Sequence, residues 1–110
     1  MTDELTPEQV FQQMPNDFQA DKAGSLAADI QFDLSGANPG RWWVKIADGR
    51  AETGQGDVAN PKLTLRADSA DWVKIATNQL DPTSAFMSGK LKLQGDMGLA
   101  IKFGTLFRRA

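Results

Sequence analysis

Four segments of the chain alternate between apolar and polar residues: 26–34, 41–47, 62–67 and 90–93. A period of two is the pattern of a strand with one face in the core and the other in solvent. Between the second and third segments, Asp48-Gly49 is a strong signal for a tight hairpin, so the residues after it are predicted to pair back as a further strand. The pattern therefore predicts five strands.

Elsewhere the apolar residues recur with a period of about 3.6, which predicts helices. Residues 6–9 carry a start signal for the first helix, with threonine as N-cap, proline at the first helical position and glutamine completing a capping box. Pro15 is expected to end this helix or to split it. Candidate N-caps precede the other stretches of helical spacing: Asp68 or Ser69 for the next helix, then Asp81 and Asp96.

The predicted order is one helix, four strands, helices, a strand and a last helix. Strands grouped together, with helices elsewhere, indicate the α+β class: a five-stranded, twisted, mostly antiparallel sheet with helices packed on one face. The 110 residues are enough for one hydrophobic core but not for two. We therefore expect a single domain over residues 1–110.

Composition removes several functions from consideration. The chain has neither cysteine nor histidine, which excludes disulfides, thiolate nucleophiles, Ser–His catalysis and histidine-rich metal sites. The net charge is −2 and the basic residues are scattered, so nucleic acid is not an expected partner. The carboxylates fall on predicted solvent faces, which makes an acid–base enzyme the least favoured interpretation.

The last helix, from Asp96 to Phe107, has an unusually wide apolar surface. At about 100° per residue its apolar side chains cover roughly 220°, whereas a helix on a domain surface needs a stripe of a little over about 100°. We expect the smaller group to lie on the sheet and the bulkier group to need another cover. The smaller group is Met97, Ala100, Ile101 and Gly104, and the bulkier group is Leu99, Phe103, Leu106 and Phe107. The first helix, a second copy of the protein or a ligand could supply that cover.

Residues 80–107, LDPTSAFMSGKLKLQGDMGLAIKFGTLF, resemble the C-terminal signature of the sterol carrier protein type 2 family. In that family a Pro-x-x-Ala-Phe turn, here residues 82–86, leads into a Gly-Lys-Leu-Lys strand, here residues 89–92. A Gly-Asp-Met-Gly-Leu-Ala-x-Lys helix start follows at residues 95–102. Residues 63–79 are similar to the preceding strand and helix of the family.

The resemblance implies a hydrophobic tunnel between sheet and helices that binds one lipid, such as a fatty acid, a fatty acyl-CoA or a sterol. It implies transfer of that lipid between membranes or to enzymes, without catalysis and without a cofactor. A lipid would then cover the surplus arc of the last helix. The expected lining residues are Ile30, Phe32, Trp72, Ile75, Phe86, Met87, Met97, Leu99, Ala100, Phe103, Leu106 and Phe107.

Some polar and aromatic residues allow two interpretations. Lys90, Lys92 and Lys102 could hold the headgroup of a lipid at the tunnel mouth, or could simply form a solvated surface. Trp43 shares a strand face with charged residues, so it is either a docking residue for a partner or membrane, or an ordinary half-exposed aromatic.

A second function remains open beside the carrier. The apolar last helix could serve an interaction module that forms a homodimer or docks on a lipid-metabolising enzyme. For a carrier we expect a monomer or weak homodimer with transient membrane contact. The chain has no signal peptide pattern and no apolar run of about 20 residues, and its last three residues do not match a peroxisomal signal. These features predict a cytoplasmic protein.

Overall fold

The computed structural model describes residues 6–77 and 79–106, and for Asp17, Pro82 and residues 104–106 it describes only the backbone. Helices and strands follow in this order: α1 (Pro7–Asp17), α2 (Ala20–Ala23), β1 (Ala28–Ser35), β2 (Gly40–Ala47), β3 (Arg50–Gln55), β4 (Leu63–Asp68), α3 (Ser69–Ala76), α4 (Pro82–Met87), β5 (Leu91–Gly95) and α5 (Met97–Leu106). The short α2 occupies a segment that the sequence indicated only as a turn.

The strands form one sheet in the order β3-β2-β1-β4-β5. The pairs β1–β2, β2–β3 and β4–β5 are antiparallel, and only the central pair β1–β4 is parallel. The predicted α+β class with a mostly antiparallel sheet is therefore confirmed. The β2–β3 hairpin turns at Asp48 and Gly49, which both have positive φ (55° and 73°), as the tightest hairpins require.

One face of the sheet carries the core. On the central strand Ile30, Phe32 and Leu34 are buried, as the alternation predicted, and the helices cover them. Helix α1 lies against β3, α3 against β1 and β4, and α5 against β4 and β5. The interface between the sheet and these helices is therefore the apolar centre of the molecule.

Helix α1 starts as predicted but does not end at Pro15. Thr6 Oγ1 accepts from the Gln9 backbone N–H, and the Gln9 side chain accepts from the Thr6 backbone N–H. Pro15 lies inside the helix, so the carbonyl of Phe11 lacks its usual i+4 donor. The hydroxyl of Thr53 on β3 donates to that carbonyl at 2.8 Å. The predicted break was wrong because a distant strand satisfies the freed carbonyl.

Part of the outer face of the sheet is shielded from solvent. Gln31, predicted to face solvent, is buried beneath the loop that follows β3. Its side-chain amide donates to the carbonyls of Trp42 and Gly56, both at 3.0 Å, and its Oε1 accepts from the backbone N–H of Val58 at 2.8 Å. The side chain thus fastens this loop to the sheet, a role that alternation alone cannot reveal.

The bond between Thr53 and Phe11 predicts a coupling that can be measured. Thr53→Val keeps the shape of the side chain but leaves a partly buried carbonyl unpaired, and should lower the free energy of unfolding by about 1 to 2 kcal/mol. In a Pro15→Ala background the new N–H at position 15 can bond to the Phe11 carbonyl. The cost of Thr53→Val should then fall, and a double-mutant cycle from urea denaturation measures the difference.

Thr64→Val is the matched control, because Thr64 is also half-buried on a strand of this sheet but lies on the outer face. It should show no coupling to Pro15→Ala. An equal cost of Thr53→Val in both backgrounds would contradict this account of how α1 passes through Pro15.

Candidate functional site

Five aromatic residues join the sheet to the helices: Phe11, Phe32, Trp42, Trp72 and Phe103. We call them the aromatic cluster. The ring centroid of Phe32 lies 5.0 Å from that of Phe11, 4.8 Å from Trp72 and 5.7 Å from Phe103. Phe11 also stacks on Trp42 at 5.0 Å. Four of the rings are buried, whereas Phe103 on α5 is only half-buried, so α5 carries the one member of the cluster that is partly exposed.

Helix α5 begins where Asp96 Oδ1 accepts from the backbone N–H of Leu99 at 3.1 Å, as the predicted N-cap should. Leu99 and Phe103 are four residues apart and share one face of the helix. Leu99 is buried, and Phe103 packs against the core. This inner stripe, Leu99 and Phe103, fixes α5 on the sheet.

Met97 and Ile101 form an opposite stripe, which we call the outer stripe of α5. Each lies two positions from a residue of the inner stripe, a rotation of about 200° on a helix. Met97 is 42% exposed and Ile101 is 80% exposed. The expectation that these two residues lie on the sheet was wrong. Steric size suggested that orientation, but the deep contact is made by Phe103 against Phe32.

Ten of the twelve predicted lining residues have described side chains, and these fall into three groups. Ile30, Phe32, Trp72 and Leu99 are buried, and Ile75, Ala100 and Phe103 are partly buried against the core. Phe86, Met87 and Met97 are exposed. The side chain of Leu106 and the whole of Phe107 lie outside the described residues. The structure therefore places the first two groups in the core or against it, and puts the third on the outside.

Trp72 has a feature that the sequence analysis missed. Its side chain is 2% exposed, and among the described residues its indole Nε1–H has no hydrogen-bond acceptor. An unpaired buried donor costs about 1 to 3 kcal/mol, and such groups are rare in folded proteins. The helical spacing of Trp72 indicated only that the residue is apolar and faces inward. The one available signal was the choice of tryptophan rather than phenylalanine at an inward-facing position.

The three candidate headgroup lysines lie in different places. Lys92 is exposed on β5 opposite Arg66, on the face of the sheet away from the helices. Lys90 is exposed just before β5 and borders the same outer face. Lys102 is exposed on α5, next to Ile101 in sequence. Of the three, Lys102 is the one carried by the helix that covers the aromatic cluster.

A polar cleft of about 420 Å³ lies on the outer face of the sheet. It is lined by Asp33, Ser35, Arg66, Ala67, Asp68, Asp71, Gly89, Lys90 and Lys92. Its charges balance, with three carboxylates and three cations among these residues, and Asp33 and Arg66 form an ion pair at 3.8 Å. Asp68 is already engaged as the N-cap of α3. Six of the nine lining residues are charged and their charges cancel, so the cleft resembles neither an apolar lipid site nor a site that selects an anion.

Trp43 lies on the outer face of the sheet and is half-buried. Its ring covers Gly54 on β3 so closely that a Cβ atom at Gly54 would overlap it. The Lys45 amine lies 5.2 Å from the ring centroid. These contacts favour the reading of Trp43 as an ordinary half-exposed aromatic.

Residues 6–77 and 79–106 include no cluster of three or more carboxylate, histidine or cysteine groups placed to hold a metal ion. Over the same ranges, none of the helices combines the length and apolar character that crossing a bilayer requires.

The sequence of this chain is similar to part of a longer curated protein. Hydroxysteroid dehydrogenase-like protein 2 of Xenopus tropicalis is 44% identical over 73 residues, which is 66% of this chain and 18% of that protein. This chain thus spans less than a fifth of the length of that curated relative.

Two solved structures show the same fold. The sec-alkylsulfatase Pisa1 from Pseudomonas sp. has a TM-score of 0.80 at 22% identity, over 96% of this chain and 17% of that one. The solution structure of palmitated SCP2L2 from Aedes aegypti has a TM-score of 0.78 at 20% identity, over 96% of both chains. The model of the SCP-2 sterol transfer family matches residues 8–108. With nearly the whole chain matched, the protein belongs to the SCP-2 sterol transfer family.

Proposed function

We propose that this protein is a non-enzymatic lipid carrier. It binds one fatty acid, fatty acyl-CoA, sterol or similar lipid between α5 and the sheet, and passes it to membranes or enzymes. The observation that carries the proposal is the half-buried ring of Phe103, which lies 5.7 Å from the buried ring of Phe32 and 6.4 Å from that of Trp72. Ile75 and Ala100 add partly buried apolar surface against the same core. A tunnel between α5 and the sheet would extend this apolar surface into the core.

Membership of a sterol transfer family supports a lipid as the ligand. The Aedes aegypti protein with the same fold is palmitated, which supports a long acyl chain as one suitable cargo. Burying about ten methylenes at about 0.8 kcal/mol each yields about 8 kcal/mol. A micromolar dissociation constant corresponds to a net binding free energy of about the same size. Because association itself has an unfavourable free energy, more than about ten buried methylenes are needed to reach that affinity.

The site offers little chemistry beyond binding. The chain has no histidine or cysteine, and among the described residues the buried polar or charged side chains are Gln31 and Ser69. The side-chain amide of Gln31 is hydrogen-bonded to backbone groups of Trp42 and Val58. Ser69 Oγ accepts a hydrogen bond from the backbone N–H of Asn38. A site of this kind would select ligands by length and volume, and it supports a carrier rather than an enzyme.

The outer stripe of α5 supports transient membrane contact during transfer. Met97 and Ile101 expose apolar surface, and Lys102 adds a positive charge beside them. An apolar helix face with basic neighbours suits the interface of a membrane that contains anionic lipid. Lys102 can meet the phosphate of a membrane lipid or the head of a bound one. The cytoplasmic location and the single domain over residues 1–110 stay predictions.

An interaction module is the alternative function. The same outer stripe could be buried in a second copy or on an enzyme, and the similar segment in Xenopus tropicalis belongs to a longer protein with a dehydrogenase-like name. Light scattering separates the two proposals. The alternative requires a stable complex that Ile101→Asp abolishes, whereas the carrier remains a monomer or weak dimer.

Lipid binding should depend on the inner stripe of α5 and not on the outer one. Phe103→Asp puts a charge beside the aromatic cluster and should weaken binding of a fluorescent fatty acid about ten-fold or more. Ile101→Asp is the matched control on the same helix and should leave the affinity unchanged. Phe103→Trp keeps the site apolar but fills space, so it should weaken binding of longer chains more than shorter ones.

Native mass spectrometry of freshly purified protein supplies an independent readout, with one lipid expected per chain. Circular dichroism verifies that each variant is folded. The proposal fails if the folded wild-type protein carries no lipid and binds no fatty acid at any chain length tested.

Transfer between vesicles should depend on the outer stripe. Ile101→Asp should slow the movement of a fluorescent fatty acid from protein to vesicles that contain anionic lipid several-fold, because a charge there opposes insertion of α5 at the interface. Asp71→Asn on α3 changes a surface charge away from α5 and serves as the control. Equal transfer rates for wild type and Ile101→Asp would contradict a role for this stripe.

A further inference from the structure

The indole N–H of Trp72 is a hydrogen-bond donor buried in the apolar core, with no acceptor among the described residues. From its burial and its position, we infer that it binds an uncharged oxygen of the lipid, a hydroxyl or a carbonyl. This inference rests on the proposed carrier function and specifies the chemistry of the ligand and its orientation in the site.

The burial of Trp72 makes this donor effective. The residue is 2% exposed, and within residues 6–77 and 79–106 the N–H has no acceptor. Folding has therefore already removed water from the N–H without replacing its hydrogen bond. A ligand oxygen that accepts this bond incurs no further cost for stripping the donor of water, so the bond adds more to affinity than one to an exposed donor.

The neighbouring rings hold the indole in place. The centroid of Trp72 lies 4.8 Å from that of Phe32, 5.6 Å from Phe11 and 6.4 Å from Phe103. With aromatic neighbours from α1, β1 and α5, the side chain is not free to turn its N–H to solvent. Ile75, one turn further along α3, and Phe103 leave apolar surface accessible beside it. The hydrocarbon part of the ligand would lie on these two residues.

The surroundings favour a neutral oxygen over a carboxylate. The described lysines and arginines are all exposed, so none of them can balance a negative charge beside Trp72. A buried charge needs a partner or several hydrogen bonds, and a single N–H supplies one. An alcohol, a sterol-like hydroxyl or an ester carbonyl is satisfied by one donor. A fatty acid carboxylate would instead remain at the surface.

The test compares two ligands of matched length, 1-dodecanol and 1-chlorododecane. The hydroxyl accepts a hydrogen bond well and the chlorine poorly, while the chains are the same. The protein is labelled with ¹⁵N at its tryptophans, and the indole peak of Trp72 is assigned by its absence in Trp72→Phe. Binding of 1-dodecanol should move this peak downfield in the proton dimension, and 1-chlorododecane should not.

Affinities by displacement of a fluorescent fatty acid give the second readout. Trp72→Phe keeps an aromatic ring but removes the donor, and should lower the affinity for 1-dodecanol roughly three- to ten-fold relative to 1-chlorododecane. Trp42→Phe removes the other indole of the aromatic cluster and should change both affinities by the same factor. It controls for general disturbance of the core.

Two results would overturn the inference while leaving the carrier function intact. One is binding of 1-dodecanol without a downfield shift of the Trp72 peak. The other is an equal loss of affinity for both ligands in Trp72→Phe, which would give Trp72 a packing role only. Failure of the wild-type protein to bind either ligand or any fatty acid would instead refute the proposed function, and the inference with it.

Discussion

The packing of Phe32 against rings from three helices is the interaction on which the rest of the structure depends. Phe32 is fully buried on β1, the middle strand of five, and contacts the rings of Phe11, Trp72 and Phe103. Each of these rings comes from a different helix, α1, α3 and α5 respectively. One side chain of the central strand therefore packs against all three helices.

With this packing, the apolar residues of α5 form two separate surfaces. The inner stripe, Leu99 and Phe103, attaches α5 to the sheet, and the outer stripe, Met97 and Ile101, is left in solvent. Exposed apolar residues on one face of a helix can form a contact with lipid or with another protein. We propose that both stripes contact lipid. The inner stripe borders the bound ligand, and the outer stripe contacts the membrane during transfer. The unpaired indole of Trp72 would make the inner site selective for an oxygen-bearing ligand.

Much of the fold could be predicted from the sequence, because alternation and capping are local signals. The strands, the Asp48-Gly49 hairpin and the N-caps at Thr6 and Asp81 were predicted correctly, and Asp68 was one of two candidates for the N-cap of α3. The failures share a physical cause, which is a partner distant in the chain. Thr53 donates a hydrogen bond to the Phe11 carbonyl that Pro15 leaves without its helical partner. The loop after β3 covers Gln31. The orientation of α5 depends on Phe32, far away in the sequence, so a helical wheel could reveal the excess of apolar surface but not which side faces the sheet.

Intermolecular nuclear Overhauser effects between ¹³C-labelled palmitate and the protein test the central claim most directly. A lipid held between α5 and the sheet should give contacts from its chain to Ile75, Phe103 and the rings beside them. Contacts confined to Met97 and Ile101, or to the outer face of the sheet around Trp43, would contradict it.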